Sequence, residues 1–485
     1  MPNMLEKTLG SHSSCCCSID KTPINLRKKR DDLYIKNREE LTSHGYKKGR
    51  EAAINILEHT LYALDPYIAT KRLISLHGEI LTVGHLHFDL SQRGNIYVLG
   101  GGKATFAIAK ALEEILGKRI VESLIVVKNG QDGILEKINI RKAAHPIPDK
   151  EGLDAAKEIK IIAEKARDND IVFCAITGGS SALMPLPASD ITLEGKRQIN
   201  KVLLASGATI REINAVRKHL SAIKGGRLAL SIFPAEIINL TVSDVIEDPL
   251  DYITDPTVPD TSTFSDAIHV LEKYDLWDKF PESAIHYLQN ATLEMETPKN
   301  FGEFEPKVHS FILIKSRVVC EAAAEKAGEQ GFKPLILSTA LEGESREVGI
   351  VFAGIAKEIV RNNRPLPPPC AIIACGETTV RIDNEYGQGG PNQEFALSAA
   401  SQITPYDKVT VAAIDTDGTD GPTDIAGGLT DSSTISRAQT NNLDVFKHLH
   451  EHDASTVLLS TGDAIVTGPT GTNVNDLKMV LIGDI

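Results

Sequence analysis

From about residue 51 onward, short β-branched runs alternate along the chain with amphipathic stretches. Ile96-Tyr97-Val98-Leu99, Leu124 to Val127 and Ile171 to Ile176 are uninterrupted apolar segments that predict strands covered on both faces, and Ile237 to Val242 reads as a fourth strand. After the first of them, Ile108, Leu112, Ile115 and Leu116 recur at the spacing of one helical face. Strand, helix, strand in that order predicts a parallel sheet. The alternation pauses between about Asp275 and Pro306, where prolines, Gly302 and a Glu-rich stretch interrupt any single period, which places a domain boundary near 300. A second series follows: Pro334 to Thr339, Cys370 to Cys375, Val409 to Asp415, Thr456 to Ser460 and Lys478 to Gly483. The expectation is two α/β domains, residues 51–300 and 301–485, behind a flexible N-terminal extension of residues 1–50.

Composition removes several alternatives. With 485 residues the chain exceeds one ordinary core, and 42% hydrophobic with 24% charged residues matches globular proteins rather than disordered ones. A net charge of −13 gains nothing from counterion release, so nucleic acid is a poor partner. The longest apolar runs span about six residues against the roughly 20 a spanning helix needs, so no membrane is expected. Seven cysteines, three of them consecutive at Cys15, Cys16 and Cys17, form neither a disulfide framework nor metal-type pairs, which favours a reducing compartment. The first fifty residues are basic, 11 Lys/Arg against 6 Asp/Glu, and the run Arg27 to Arg30 reads either as part of a plain extension or as an organelle-targeting segment.

Candidate chemistry concentrates in loops that follow the predicted strands. The first strand runs into Gly100-Gly101-Gly102-Lys103 and then a helix, a geometry that aims backbone N–H groups at an anion. Tyr97 and Ala104 break the Walker A pattern, and Thr105 replaces the third glycine of the dinucleotide fingerprint. Lys103 in a first helical turn opposes the macrodipole by ~0.3–1 kcal/mol, a conflict that a bound phosphate would reverse. Ile176 leads into Thr177-Gly178-Gly179-Ser180-Ser181-Ala182, amides and hydroxyls suited to a carboxylate or phosphate. His145-Pro146-Ile147-Pro148-Asp149 opens a helix near Lys150, with Asp149 as N-cap; His145 facing a cleft is the functional alternative.

Asn214, Arg217, Ser221 and Lys224 fall on one face of a predicted helix that Gly225-Gly226 would end, a basic stripe for a ligand or for solvent. Asp244, Glu247, Asp248, Asp251, Asp255 and Asp260 crowd six carboxylates into seventeen residues. A divalent cation with oxygen ligands, Mg²⁺ in particular, would relieve their repulsion, with Asp244 best placed at the strand end. In the second half Asp415, Asp417, Asp420 and Asp424 follow one strand, and Gly376-Glu377-Thr378-Thr379, Gly387 to Glu394 and Gly468 to Asp476 are further Gly-rich polar loops. Six such loops in two domains favour a cleft that grips a phosphorylated ligand.

In this order the motifs resemble the type-2 glycerate kinase family, named MOFRL after its C-terminal domain. The resemblance covers about residues 50 to 485. It is carried by Leu99-Gly-Gly-Gly-Lys103, His145-Pro-Ile-Pro148, Gly178-Gly-Ser-Ser-Ala182, Asn214-Ala-Val-Arg-Lys-His219, Lys224-Gly-Gly-Arg227, Gly376-Glu-Thr378, Asn392-Gln-Glu394 and Asp417-Gly-Thr-Asp-Gly-Pro-Thr-Asp424. It implies an α/β fold in which a larger Rossmann-like parallel-sheet domain and a smaller α/β domain enclose a cleft. It further implies phosphorylation of D-glycerate by ATP with Mg²⁺, in the cytoplasm or in mitochondria. Residue by residue, Lys103 would contact the transferred phosphoryl group, and Asp244, with Asp248, would hold Mg²⁺ or orient the substrate hydroxyl. The nucleotide side would be lined by Gly100, Gly101, Gly102, Gly178, Gly179, Ser180, Ser181, Glu377, Thr378, Asn392, Gln393, Asp417 and Asp420. Asn214, Arg217 and Lys224 would hold the glycerate carboxylate.

Three positions depart from the family pattern: Pro391 stands where it reads Arg, and Glu247 and Asp255 where it reads Gly. Two other readings therefore stand beside the kinase, a non-catalytic glycerate- or nucleotide-binding homologue and a hydroxypyruvate reductase. Whether the 2- or the 3-hydroxyl is the acceptor is open at this level.

Overall fold

A computed structural model of the protein describes residues 33–131, 133–243, 256–382 and 386–484. Cys15 to Cys17, Arg27 to Arg30, Asp244, Glu247, Asp248, Asp251 and Asp255 lie outside them. Strands β1 (Ile74–His77), β2 (Ile80–Val83) and β3 (Leu86–Asp89) form a small antiparallel sheet. Strands β4 (Ile96–Gly101), β5 (Ile120–Lys128), β6 (Asn139–Ala143), β7 (Ile171–Ile176), β8 (Glu236–Val242) and β9 (Val308–Ile314) form a second, wholly parallel sheet in the order β6-β5-β4-β7-β8-β9. Every residue of β4, β7 and β8 is buried, as central parallel strands under helical layers require. The helix Thr105–Leu116 that returns from β4 buries Ile108, Leu112 and Leu116. Strand order reverses between β4 and β7, the switch point at which open α/β sheets receive ligands.

The helices Leu193–Ala205 and Ile210–His219, inserted between β7 and β8, share a separate apolar core with Phe264–Lys273 and Glu282–Gln289, inserted between β8 and β9. The third sheet contains β10 (Lys333–Ser338), β11 (Cys370–Gly376), β12 (Val409–Asp415), β13 (Gly427–Asp431), β14 (Ala464–Ile465) and β15 (Asp476–Ile482) in the order β10-β11-β15-β12-β13-β14. Only β10 and β11 pair in parallel; β15 runs antiparallel between β11 and β12. Its register aligns Asp476 with both Gly376 and Asp415, so the loops leaving β11 and β12 and the loop entering β15 share one sheet edge.

Three expectations are corrected. Thr456 to Ser460 is not a strand but part of the helix Ala454–Thr461, which ends at Gly462 in a left-handed C-cap with φ +71°. A five-residue apolar run has no period of its own, and the cap decides it. The boundary near 300 falls too early, because β9 at 308–314 supplies the sixth strand of the parallel sheet. Residues 33–50 are not a separate extension: they contain the helix Arg38–Thr42 and the start of the helix Lys47–Ala63. Ile54 and Leu57 of that second helix belong to one buried apolar cluster reaching Val98 and Ile108 on one side and Ala412 and Leu477 on the other.

Arg50 on this helix is fully buried; its Nε donates to Asp431 at 2.5 Å and its Nη2 to Asp463 at 2.6 Å. Removing one partner from a buried ion pair strands the other's charge, so Arg50→Met is expected to cost about 3–5 kcal/mol in urea unfolding at pH 7. Burial alone would raise the Asp431 carboxyl, but Arg50 and hydrogen bonds from Ser433 and Tyr46 overcome it and hold the group at about 2. A native value below the unfolded one stabilises above pH ~4 and is lost as pH falls toward the native value. The acid limb of a stability–pH profile should therefore be shallower in Arg50→Met than in the wild type.

Candidate active site

The turn after β4 is built for close packing. A Cβ at Gly100 would lie 2.1 Å from the Ala175 carbonyl oxygen, and one at Gly102, where φ is +144°, would lie 2.1 Å from Thr177 Oγ1. The Gly102 amide donates to Val126 O at 3.1 Å, that of Lys103 to Gly178 O at 2.9 Å and that of Ala104 to Thr177 Oγ1 at 3.1 Å. The expectation that the backbone of this turn cradles an anion is thus corrected: Gly100, Gly101 and Gly102 let two loops touch, and the amides that follow are already bonded. What projects from the turn is the Lys103 side chain, whose Nζ donates to Asp417 Oδ2 at 2.7 Å. Thr177, read in the sequence as part of an anion-type loop, uses its hydroxyl to clamp the two loops, a role its loop composition did not show.

On the facing loop the situation is reversed. The amides of Gly178 and Gly179 make no hydrogen bond among the described residues, and Gly179 adopts a left-handed φ of +86°. The His145 ring packs against this turn, 3.2 Å from where a Gly179 Cβ would stand. Burial pushes the His145 imidazole down to about 4, with Lys103 and Lys128 adding cationic repulsion, so the ring is neutral at physiological pH. Asp149 caps its helix as expected, accepting from Gly152 N at 2.9 Å, and its other oxygen takes Ala144 N at 2.7 Å. Capping and presentation of His145 are therefore one structure, because the same carboxylate fixes both sides of the turn.

Asn214, Arg217 and Lys224 do not share one helix. The helix Ile210–His219 ends before Ser221, which forms a bridge with Pro187, and Gly226 (φ +84°) caps the start of Arg227–Ile232 instead of ending the previous helix. Beyond that bend Lys224 Nζ donates to Ser181 Oγ at 2.8 Å, next to Ser180 and the free glycine amides. Arg217 donates from Nε to Asn200 Oδ1 at 3.0 Å. Near it lies Lys196, a buried cation in a helix whose sequence looks merely amphipathic; no motif marked it.

In the second lobe Asp417 is held by its neighbours: its amide donates to Asp415 Oδ1 at 2.9 Å, and Thr419 donates to its Oδ1 from both N and Oγ1. Asp420 does not face the same way. It is buried and accepts from the amides of Asn392 at 3.0 Å and Gln393 at 2.9 Å, filling the N-terminus of the helix Pro391–Ile403 with the protein's own carboxylate. Asn392, Gln393 and Asp420, expected to line the nucleotide side, thus bond chiefly to one another. Pro391 occupies the first turn of that helix, where a missing N–H costs no bond. Thr378 is buried against Ser345 Oγ at 2.7 Å, whereas Glu377 beside it is exposed. Asp244 and Asp248 lie outside the described residues.

A lysine at the switch point of a parallel sheet, facing an acidic loop of a second lobe, defines a two-lobed α/β enzyme organised around anionic ligands. Family models agree with that outline: a domain described as "Domain of unknown function (DUF4147)" matches residues 52–289, and the MOFRL family matches residues 370–476. A glycerate 2-kinase of Pyrococcus horikoshii is 41% identical over 434 residues, covering 89% of this chain and 97% of the relative. A putative hydroxypyruvate reductase of Agrobacterium vitis is 40% identical, covering 81% of this chain and 88% of the relative. The crystal structure of a Thermotoga maritima glycerate kinase matches with a TM-score of 0.78 at 37% identity, covering 89% of this chain and 99% of that one. The chain belongs to the glycerate kinase family, a family of kinases.

The neutral state of His145 gives a direct check on this geometry. Replacing Lys103 by Met removes one of the cations that depress it, so the imidazole should titrate at a higher pH in Lys103→Met than in the wild type. Burial remains, so it should stay below the usual histidine range. Proton NMR of the His145 ring reads the shift; no movement would place Lys103 away from the ring.

Proposed function

We propose that this chain transfers the γ-phosphoryl group of ATP to a hydroxyl of D-glycerate. The observation that carries the reading is the 2.7 Å contact from Lys103 to Asp417, which brings a switch-point cation and the acidic loop of the other lobe to one place. In such transfers the protein positions two anions and neutralises charge as the bond changes, and needs little covalent chemistry of its own. Lys103 would exchange Asp417 for an oxygen of the transferring group. The unbonded amides of Gly178 and Gly179, with the hydroxyls of Ser180 and Ser181, suit phosphate oxygens. Neutral His145 beside them adds a hydrogen-bonding ring without adding charge. Asn214, Arg217 and Lys224 would receive the glycerate. The name of the Pyrococcus relative favours the 2-hydroxyl as acceptor.

Magnesium belongs to the same proposal. Hard oxygen donors suit it, and its ligands would be donor phosphates with Asp244 and Asp248, the carboxylates that follow β8 in the chain. Bound there, it would neutralise phosphate charge. A cytoplasmic setting is supported by Cys174, Cys320, Cys370 and Cys375, all free and buried. Among the described residues no helix is long and apolar enough to cross a membrane.

An ADP-release assay with Mg-ATP should show turnover that depends on D-glycerate, and phosphorus NMR should show the 2-phosphate ester. Lys103→Ala should lose on the order of 10²–10³ in kcat while retaining its circular-dichroism spectrum. Hydroxypyruvate with NADH should give no absorbance loss. Correctly folded protein without glycerate-dependent ADP release would overturn the reading.

A further inference from the structure

The helix Ile210–His219 ends with three basic residues, and two of them face a carboxylate. Lys218 Nζ lies 2.9 Å from Asp260, and His219 Nε2 lies 2.6 Å from Glu296. Arg217 does not: its Nε bonds to the neutral Asn200 side chain, and no carboxylate among the described residues pairs with it. Four residues before Asn200, and so on the same helical face, stands Lys196. Lys196 is 5% exposed, its side chain has no hydrogen bond and no ion pair among the described residues, and the charge acting on it is that of Arg217, which repels it. Burial and this repulsion lower its pKa to about 8, so it is still mostly protonated at neutral pH.

Two cations withdrawn from water without a counter-charge are costly, and proteins keep such groups paired. Lys196 is buried and Arg217 half-buried, whereas Lys218, the buried cation next to Arg217, is paired with Asp260. Among the described residues no counter-charge stands at Lys196 and Arg217, and a bound anion would supply one. We infer that Lys196 and Arg217 form a two-cation subsite for the carboxylate of the hydroxy-acid substrate, with Asn200 fixing the guanidinium. The inference rests on the glycerate kinase reading above. Its location follows from two contacts. Arg197, next to Lys196, donates from Nε to Pro148 O at 2.7 Å, at the end of the turn that presents His145. The chain leaving Arg217 runs through Ser221 to Lys224, which meets Ser181. Arg197 and Lys224, close to the pair in the chain, thus touch both loops proposed to handle the phosphoryl group. A planar guanidinium and a compact ammonium suit the two oxygens of one carboxylate, which binds without a metal.

Steady-state kinetics of Lys196→Met and Lys196→Arg test this. Lys196→Met should raise KM for D-glycerate about 10- to 100-fold, with KM for ATP and kcat unchanged within about threefold. Lys196→Arg should recover most of the loss. D-glycerate should raise the Tm of the wild type and not that of Lys196→Met. An unchanged KM for D-glycerate in folded Lys196→Met overturns the inference and leaves the kinase reading standing. Absence of glycerate turnover in the wild type overturns the kinase reading itself. A Tm rise with inorganic phosphate but not with D-glycerate, lost in Lys196→Met, assigns the pair to a phosphate and overturns the carboxylate. Should Lys196→Met fail to fold, Arg217→Lys decides: it keeps the charge but loses the planar fork, and an unchanged KM for D-glycerate overturns the inference.

Discussion

The site depends on one ion pair, Lys103 with Asp417, whose members stand 314 residues apart in the chain. The pair is partly exposed and contributes little to stability, ~0–1 kcal/mol at most. Its importance is geometric. On one side the amides of Gly102 and Lys103 bind the lysine's turn to β5 and to the loop after β7. On the other, Asp415 accepts from the Asp417 amide, Thr419 holds the Asp417 carboxylate, and the Asp417 carbonyl receives Thr470 N. Each lobe fixes its own half, so the ammonium and the carboxylate meet without either loop having to order itself around the other. In the proposed reaction an arriving phosphoryl group would have only to displace one carboxylate.

Buried charge elsewhere in the molecule separates scaffold from site. Arg50 with Asp431 and Asp463, and Lys218 with Asp260, are closed pairs that tie distant elements together. Asp420 is closed in another way: burial and Asp476 push its carboxyl up to about 6, and the amides of Asn392 and Gln393 oppose that rise by holding the carboxylate. Because this carboxylate already fills the N-terminus of the helix Pro391–Ile403, the anion site of that helix is occupied from within. Pro391 costs that arrangement nothing, since the first residue of a helix has no intrahelical use for an N–H. Among the described residues the Lys196 side chain and the amides of Gly178 and Gly179 have no partner, and Arg217 has no carboxylate.

Much of this was legible in the chain. Uninterrupted apolar runs located β4, β5, β7 and β11, because strands buried on both faces leave few polar positions to confuse the reading, and β8 and β12 were legible despite the buried Asn239, Thr241 and Thr410. Gly-rich loops after those strands marked where chemistry would gather, since close approach of two backbones demands residues without a side chain. Period alone failed where it was absent: Gly427–Asp431 looks like a loop yet pairs with β12, and Thr456 to Ser460 looks like a strand yet is helical. Gly100 to Lys103 also misled in part, for a glycine run that cradles an anion and one that packs against a neighbouring loop have the same composition.

What the sequence determined by itself was the kind of layer each segment could join and the loops in which reactive groups would collect; both are set locally, by side-chain period, chain stiffness and turn chemistry. What only the tertiary structure decided was which charges are spent and which are open. Asp417 reaches Lys103 while Asp420, three residues later, turns inward to cap a helix; Lys218 finds Asp260 while Arg217 beside it finds the neutral Asn200. Neighbours in sequence part in this way because a charge is neutralised by what lies within a few ångströms of it in space, and that is settled only when distant segments pack.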